Sequence, residues 1–311
     1  VTHGYPSQAS AVSDYRLAGE RYIQLGDLVS QWFTYDRNGG RFYSICKQCK
    51  AARVRAAREQ WRNRESVASS TATPNPNRRF GVELEVISPV SHAHLQSELQ
   101  AAGLTNWRVR YDGSLSGGGA EIVSPILSGD DGHEQVKTAC RVLRRNHCTV
   151  NRSCGMHVHH EIRDMTIEAV KKLTRLWSDN QDMIDGLVAP SRRRGLNSYC
   201  GRLTTDDVAR VQRCTALDRL SHTMHTRYKT FNLAAYGRYG TVEIRQHQGT
   251  IDAEKVNSWI KFGQALIEQS RCATIFQATT MREMVGELAH LEDTAGTFLL
   301  GRAVRFNAVA L

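Results

Sequence analysis

The sequence predicts an α+β fold built on a largely antiparallel sheet, and three observations predict it. Four short segments alternate polar and aliphatic residues with a period of two, the mark of half-buried strands: "GVELEV" from Gly81, "AEIVSP" from Ala120, "GMHVH" from Gly155 and "TVEIRQHQ" from Thr241. Stretches with helical spacing of apolar residues lie between and after them. The two kinds of element follow one another without the regular β-α-β repeat that a parallel sheet requires.

In chain order, "AARVRAAREQWRNRE" (residues 51–65) predicts a basic helix, because alanine and arginine are good helix formers. "SVASSTATPNPNR" (66–78) is rich in Ser, Thr, Pro and Asn and reads as a linker. The expected organisation is therefore a basic N-terminal unit over 1–65, a linker over 66–78 and one large domain over 79–311. In that domain "FGVELEV" is a strand, "SHAHLQSELQAAG" a helix ending at Gly103, and "WRVRYDGSLSGGGAEIVSPIL" two strands about a glycine-rich turn. "GHEQVKTACRVLRRNHC" is an amphipathic helix and "GMHVHH" a strand. "DMTIEAVKKLTRLWSDNQDMIDGLV" predicts one long helix ended by Pro190, and "TTDDVARVQRC" a shorter one. "YKTFNLAAYGRYGTVEIRQHQGT" gives two strands about Gly237–Gly240, and helices over "DAEKVNSWIKFGQALIEQS" and "TMREMVGELAHLEDTAGTFLLGRAVRF" close the chain.

The length of 311 residues allows a substantial core. No run of about 18 apolar residues is present, so no transmembrane helix is expected. "VTHGYPSQASAVSDY" has neither the basic start nor the apolar stretch of a secretory signal. The eight cysteines are scattered, which fits free thiols in a reducing compartment and a cytoplasmic location. The net charge of +10 favours anionic partners: nucleic acid, nucleotides or phosphorylated intermediates. Cys46 and Cys49, a C-x-x-C ahead of the basic helix, raise Zn2+, but a structural zinc normally takes four ligands. No second C-x-x-C accompanies them, so two plain cysteines heading a basic helix is the preferred reading. That helix either contacts nucleic acid phosphates or presents a solvated charged face.

The candidate chemistry lies in the alternating strands. Glu83 and Glu85 share one face of the first, Glu121 lies on the second, and His157 and His159 share one face of the third. On the fourth, Glu243, Arg245 and His247 are expected on one face, against Val242 and Ile244 on the other. Each segment alone is also what a half-exposed strand with a polar outer face looks like. Four together, each bracketed by aliphatics, predict a concave carboxylate-rich site if the faces converge. Carboxylates so close are unfavourable without a counter-ion, and oxygen-rich sites suit Mg2+ or Mn2+ better than Zn2+.

"FGVELEV", "DGSL…EIVSP", "CGMHVHH" and "NLAAYGRYGTVEIRQHQGT", in that order, resemble the amidoligase family of phage and bacterial genomes. That family belongs with the glutamine synthetase-like carboxylate–amine ligases, which include the gamma-glutamylcysteine ligases. The resemblance covers roughly Arg78 to Leu311. It implies a glutamine synthetase-like curved, mostly antiparallel sheet flanked by helices. It also implies an ATP- and Mg2+-dependent ligase (Mn2+ as alternative) that forms an amide through an acyl phosphate, in the cytoplasm of a cell or of a phage host.

Carried over residue by residue, the resemblance implies that Glu83 and Glu85 ligate two different cations. Glu121 joins the Glu85 cation, while His157 and Glu243 join the Glu83 cation. His159 faces the nucleotide phosphates, and Arg245 stabilises the transferring phosphoryl group, which its planar fork suits. Asp112 in "YDGS" shapes the amine or carboxylate pocket or simply makes a turn. Lys229 and Asn232 are candidates for nucleotide or substrate contact. Arg192, Arg193 and Arg194 either bind a carboxylate or phosphate or form a solvated loop. His247 is a site residue or a satisfied strand histidine, and His160 receives no role. "SLSGGGAE" lacks the Lys-Ser/Thr pair of a P-loop and reads as a flexible connection. Two other functions fit the same residues: a non-catalytic, nucleotide- or nucleic-acid-associated (for instance virion-associated) protein that kept the fold, and a metal-dependent hydrolase using His157, His159 and the glutamates. Nothing in the sequence names the acid or the amine.

Overall fold

The computed structural model describes residues 33–36, 41–46, 74–117, 119–193, 197–272, 275–288 and 290–306. The chain divides into two units, Val1–Ala68 and Ser69–Leu311. In the first, strands β1 (Phe33–Asp36) and β2 (Arg41–Cys46) pair antiparallel. This hairpin was not expected, although Asn38-Gly39-Gly40 between the strands is a strong hairpin signal. Cys46 ends β2. The expected basic helix, Cys49 and with it the zinc question, and the nucleic acid surface lie outside the described residues.

In the second unit, strands β3 (Phe80–Ile87), β4 (Arg108–Tyr111), β5 (Gly119–Val123), β6 (Gly155–Glu161), β7 (Phe231–Asn232) and β8 (Thr241–Gln248) form one open sheet. The order is β4-β5-β3-β6-β8-β7 and every pairing is antiparallel. This is the α+β architecture that the alternating segments predict. Its helices are α1 (His92–Ala101), α2 (Gly129–Arg145), α3 (Ile167–Asp179), α4 (Gln181–Asp185), α5 (Thr205–Arg213), α6 (Tyr236–Tyr239), α7 (Ala253–Cys272), α8 (Met281–Glu287) and α9 (Asp293–Arg305). Among the described residues, no helix is long and apolar enough to cross a membrane.

One face of the sheet is the core. Val82, Leu84, Val86, Ile122, Met156, Val158, Val242 and Ile244 point into it and are almost wholly buried. Helix α7 covers that face closely. At Gly263 a Cβ would fall 2.3 Å from His160 Nε2, so only glycine lets helix and sheet meet there. Local signals set the helix ends: Ser91 and Thr166 accept from His94 N and Ala169 N, and Thr204 with Asp207 forms a capping box. The single long helix expected before Pro190 is instead α3 and α4, parted at Asn180. There Asn180 Nδ2 donates to the carbonyls of Leu176 and Phe276 while its Oδ1 accepts from Ala278 N, so the residue is spent on tertiary bonds.

The packed unit also begins earlier than the composition suggested. Arg78, at the end of the expected linker, is 1% exposed; its guanidinium pairs with Glu268 and Asp164, and Asn75 N donates to Glu268 Oε2.

Candidate active site

The other face of the sheet carries the polar residues, and the register lines them up. Arg110 on β4 is opposite Glu121 on β5, which is opposite Glu85 on β3. Two residues back along β3, Glu83 is opposite His157 on β6. Two residues on along β6, His159 is opposite Glu243 on β8, and Glu243 is opposite Asn232 on β7. Antiparallel neighbours on one face stand close enough to touch, so one staggered row crosses all six strands. Glu83, Glu85, Asp112, Glu121, His157, His159, Asn232, Glu243 and Arg245 all line a single cleft of about 770 Å³.

Contacts within the row are tight. His157 Nδ1 lies 3.1 Å from Glu83 Oε2, and its Nε2 lies 3.4 Å from Glu85 Oε1. His159 bonds Thr241 Oγ1 at 2.9 Å through Nδ1 and turns Nε2 toward Glu83 Oε1 at 3.6 Å. Glu243 accepts from Asn232 Nδ2 at 2.7 Å and pairs through its other oxygen with Arg245. Glu85 Oε2 accepts from the Gly155 peptide N–H.

The electrostatics divide the row in two. Burial works against the charge of Glu83, but hydrogen bonds from His157 and His159 outweigh it and hold that carboxyl well below the usual range. Burial likewise disfavours the charge on His159, yet Glu83 and Glu243 raise its pKa. For Glu121 the balance goes the other way: burial, then repulsion from Glu83, outweigh the attraction of His157 and, with Glu85 and Asp112, push it up to about 7. Three groupings bring their oxygen and nitrogen donors within 4.8 Å of one another: Glu85–Asp112–Glu121, Glu83–Glu121–His157 and Glu83–His159–Glu243. The first is all carboxylate and the others mix carboxylate with imidazole, donor sets that suit Mg2+ or Mn2+. Crowding of carboxylates thus adds to burial in raising Glu121.

Several positions differ from expectation. His247 is not on the Arg245 face. A β-bulge shifts the β6–β8 register between Met156 and Val158, so Met156 is opposite His247 while Val158 is opposite Ile244. The extra residue turns His247 into the core, where it packs on Trp259 and bonds the Gln248 carbonyl, and burial lowers its pKa. Lys229 does not line the cleft; its ammonium pairs with Asp207 at 2.7 Å. Asp112 makes the turn, accepting from Ser114 N and Oγ, and also reaches Glu85 and Glu121. Arg192 is buried in the cleft wall, whereas Arg193 bonds the Val188 carbonyl and Arg194 lies outside the described residues. His160 is on the helix side, with neither ring nitrogen hydrogen-bonded.

The cleft also contains arginines that sequence reasoning passed over. Arg110, Arg227 and Arg238 line it. Two had a readable sign, since Arg227-Tyr228 and Arg238-Tyr239 are the same dipeptide and each guanidinium lies over the ring that follows it.

The family described as "Putative amidoligase enzyme" (Amidoligase_2) matches residues 76–267. The chain belongs to the amidoligase family. The match spans every strand of the large sheet and every residue of the row. Among solved structures, the amidoligase matches the complex between the prokaryotic ubiquitin-like protein Pup and its ligase PafA at 9% identity and a TM-score of 0.30, over 79% of this chain and 59% of that one. The chain thus spans less than two thirds of that structure's length, and the fold of the amidoligase rests on the sheet and helices described above. The comparison with curated proteins finds no match.

Proposed function

We propose that this amidoligase is an ATP- and divalent-cation-dependent carboxylate–amine ligase that works through an acyl phosphate. The observation that carries the reading is the single row of carboxylates and imidazoles, with Arg245 paired to its Glu243, in one cleft of a chain of the amidoligase family. In the first step a substrate carboxylate oxygen attacks the γ-phosphorus of ATP. An O–P bond forms, the β–γ bridging bond breaks, and ADP leaves. In the second an amine attacks the acyl carbon, its C–N bond replaces the C–O bond to phosphate, and the amine loses a proton.

The residues present suit that chemistry. Glu85, Asp112 and Glu121 are the set for one cation, and Glu83, with His159 and Glu243 or with His157 and the shared Glu121, is the set for a second. Bound there, divalent cations would offset the repulsion between triphosphate and carboxylate and polarise the transferred phosphoryl group. Arg245 is already aimed by its pairing with Glu243, so its planar fork needs little reorganisation to meet phosphoryl oxygens. Asn232 restrains the other oxygen of Glu243 and fixes which way that carboxylate turns. Asp112, on the loop at the Glu85 end, offers one oxygen to the cation set there and borders the space left for the amine.

The test is a mass-spectrometric screen for amide products from metabolite pools supplied with Mg2+ and ATP. Amide formation matched by ADP, and slowed about 10²–10³-fold in Arg245→Ala, is the expected result. Metal-dependent hydrolysis without ATP would instead mark a hydrolase, and nucleotide binding without turnover a binding protein.

A further inference from the structure

We propose that Gly155, the first residue of β6, is a positioning residue for Glu85: its peptide fixes that carboxylate as a one-oxygen ligand, and its missing side chain leaves the gap on which His157 and Arg192 converge. The inference rests on the cation site proposed above. Glu85 Oε2 accepts from Gly155 N at 2.5 Å in a buried setting. That leaves Oε1, which faces His157 Nε2 at 3.4 Å, as the free ligand atom. A single oxygen per carboxylate suits the small octahedral shell of Mg2+ or Mn2+ rather than the bidentate contacts common around Ca2+.

The absence of a side chain matters as much as the N–H. A Cβ at 155 would stand 3.1 Å from His157 Nε2, 3.3 Å from Glu85 Oε2 and 3.4 Å from Arg192 Nη1. Three polar groups from three separate segments thus crowd one point, and none is a loose end. His157 is tied to Glu83. Arg192 is 3% exposed and its Nη2 donates to the carbonyls of Ser153 and Cys154, the residues just ahead of Gly155. No carboxylate of the described residues forms an ion pair with Arg192, and its Nε has no partner. A buried guanidinium without a paired carboxylate is costly, and across the gap left by Gly155 stands Glu85. A methyl group there would have to push Glu85 and Arg192 apart, and the oxygen that Glu85 offers would move with it.

The experiment is Mn2+ titration of the full chain by electron paramagnetic resonance, without nucleotide, with folding checked by circular dichroism. The wild type is expected to bind two ions. Gly155→Ala is expected to weaken one of them about tenfold, as loss of a group that orients a ligand does, and to leave the other nearly unchanged. Gly301→Ala, where a Cβ meets no atom within 4 Å, is the control and should match the wild type. Unchanged binding in Gly155→Ala, or equal weakening of both ions, overturns the proposal while the ligase reading stands. A wild type that binds no Mn2+ overturns both. Should Gly155→Ala fail to fold, Arg192→Met decides: removing a cation beside the site should tighten the same ion severalfold, more so at low salt, and no tightening overturns the proposal.

Discussion

Glu85 on β3 and Glu121 on β5 occupy directly opposed positions of an antiparallel ladder, both with side chains in the cleft. Burial of Glu121 comes first and repulsion from Glu83 second in pushing its carboxyl up to about 7, and the like charge of Glu85 across the ladder adds to them. A cation entering Glu85–Asp112–Glu121 must displace the Glu121 proton. Affinity for Mn2+ should therefore rise about tenfold between pH 6 and pH 8, and Glu121→Gln should remove most of the slope. Stability of the cation-free protein runs the other way. The folded state holds this proton more tightly than the unfolded chain, so Glu121 costs stability progressively as pH rises from about 4.5 to about 7. Calorimetric titration at the two pH values checks the first effect and urea unfolding without metal the second.

Arg245 is held by Glu243, lies over the Tyr228 ring and donates to the Tyr199 carbonyl. In the proposed reaction its charge is needed chiefly as the phosphoryl group moves. Arg245→Ala should lower kcat by about 10²–10³-fold while the affinity for Mg-ATP changes by much less. Single-turnover ADP release beside calorimetric nucleotide binding separates the two. Equal losses in both would make Arg245 a ground-state contact.

Lys229 stands close in sequence to the last strand motif but is committed elsewhere. Lys229→Met should leave Mg-ATP affinity unchanged and cost about 2 kcal/mol of stability, through loss of its pair with the largely buried Asp207. Denaturant unfolding and nucleotide titration of one variant test both halves.

His160 and Gly263 meet where helix α7 packs on the sheet. Gly263→Ala should destabilise by about 1–3 kcal/mol, because His160 fills the space a methyl would take. Complete burial lowers the His160 pKa to about 3, so it is neutral when folded. Its contribution is fully present above about pH 6.5 and is lost as pH falls toward 3, where the unfolded chain takes up a proton that the folded chain refuses. The acid side of the stability–pH curve should flatten in His160→Leu, measured by urea midpoints between pH 4 and pH 7.

Much of this was legible because a strand has a period of two. Alternation alone placed Glu83, Glu85, His157, His159, Glu243 and Arg245 on a face opposite the aliphatics, and their lining one cleft follows from the register. Alternation failed at His247 because a β-bulge adds one residue, and nothing in "TVEIRQHQ" marks where the period slips. Lys229 was misplaced because proximity in sequence says nothing about side-chain direction beyond a two-residue strand. The break at Asn180 was hidden because its cause, Phe276 and Ala278, lies nearly a hundred residues away. Arg192 was visible only as one of three adjacent arginines; that it is buried in the cleft wall, where Arg193 is not, is a property of the 190–192 turn. Gly155 belongs to the "GMHVH" motif, yet its closeness to Arg192 depends on contacts that no local pattern contains.

The central claim is that a substrate carboxylate oxygen is transferred to phosphate. It is tested most directly by incubating the protein with Mg-ATP, amines and a pool of acids whose carboxyl groups carry ¹⁸O, then measuring the label in released phosphate by mass spectrometry. The account predicts one ¹⁸O per phosphate, in step with ADP and amide. Amide and ADP formed with unlabelled phosphate would contradict it.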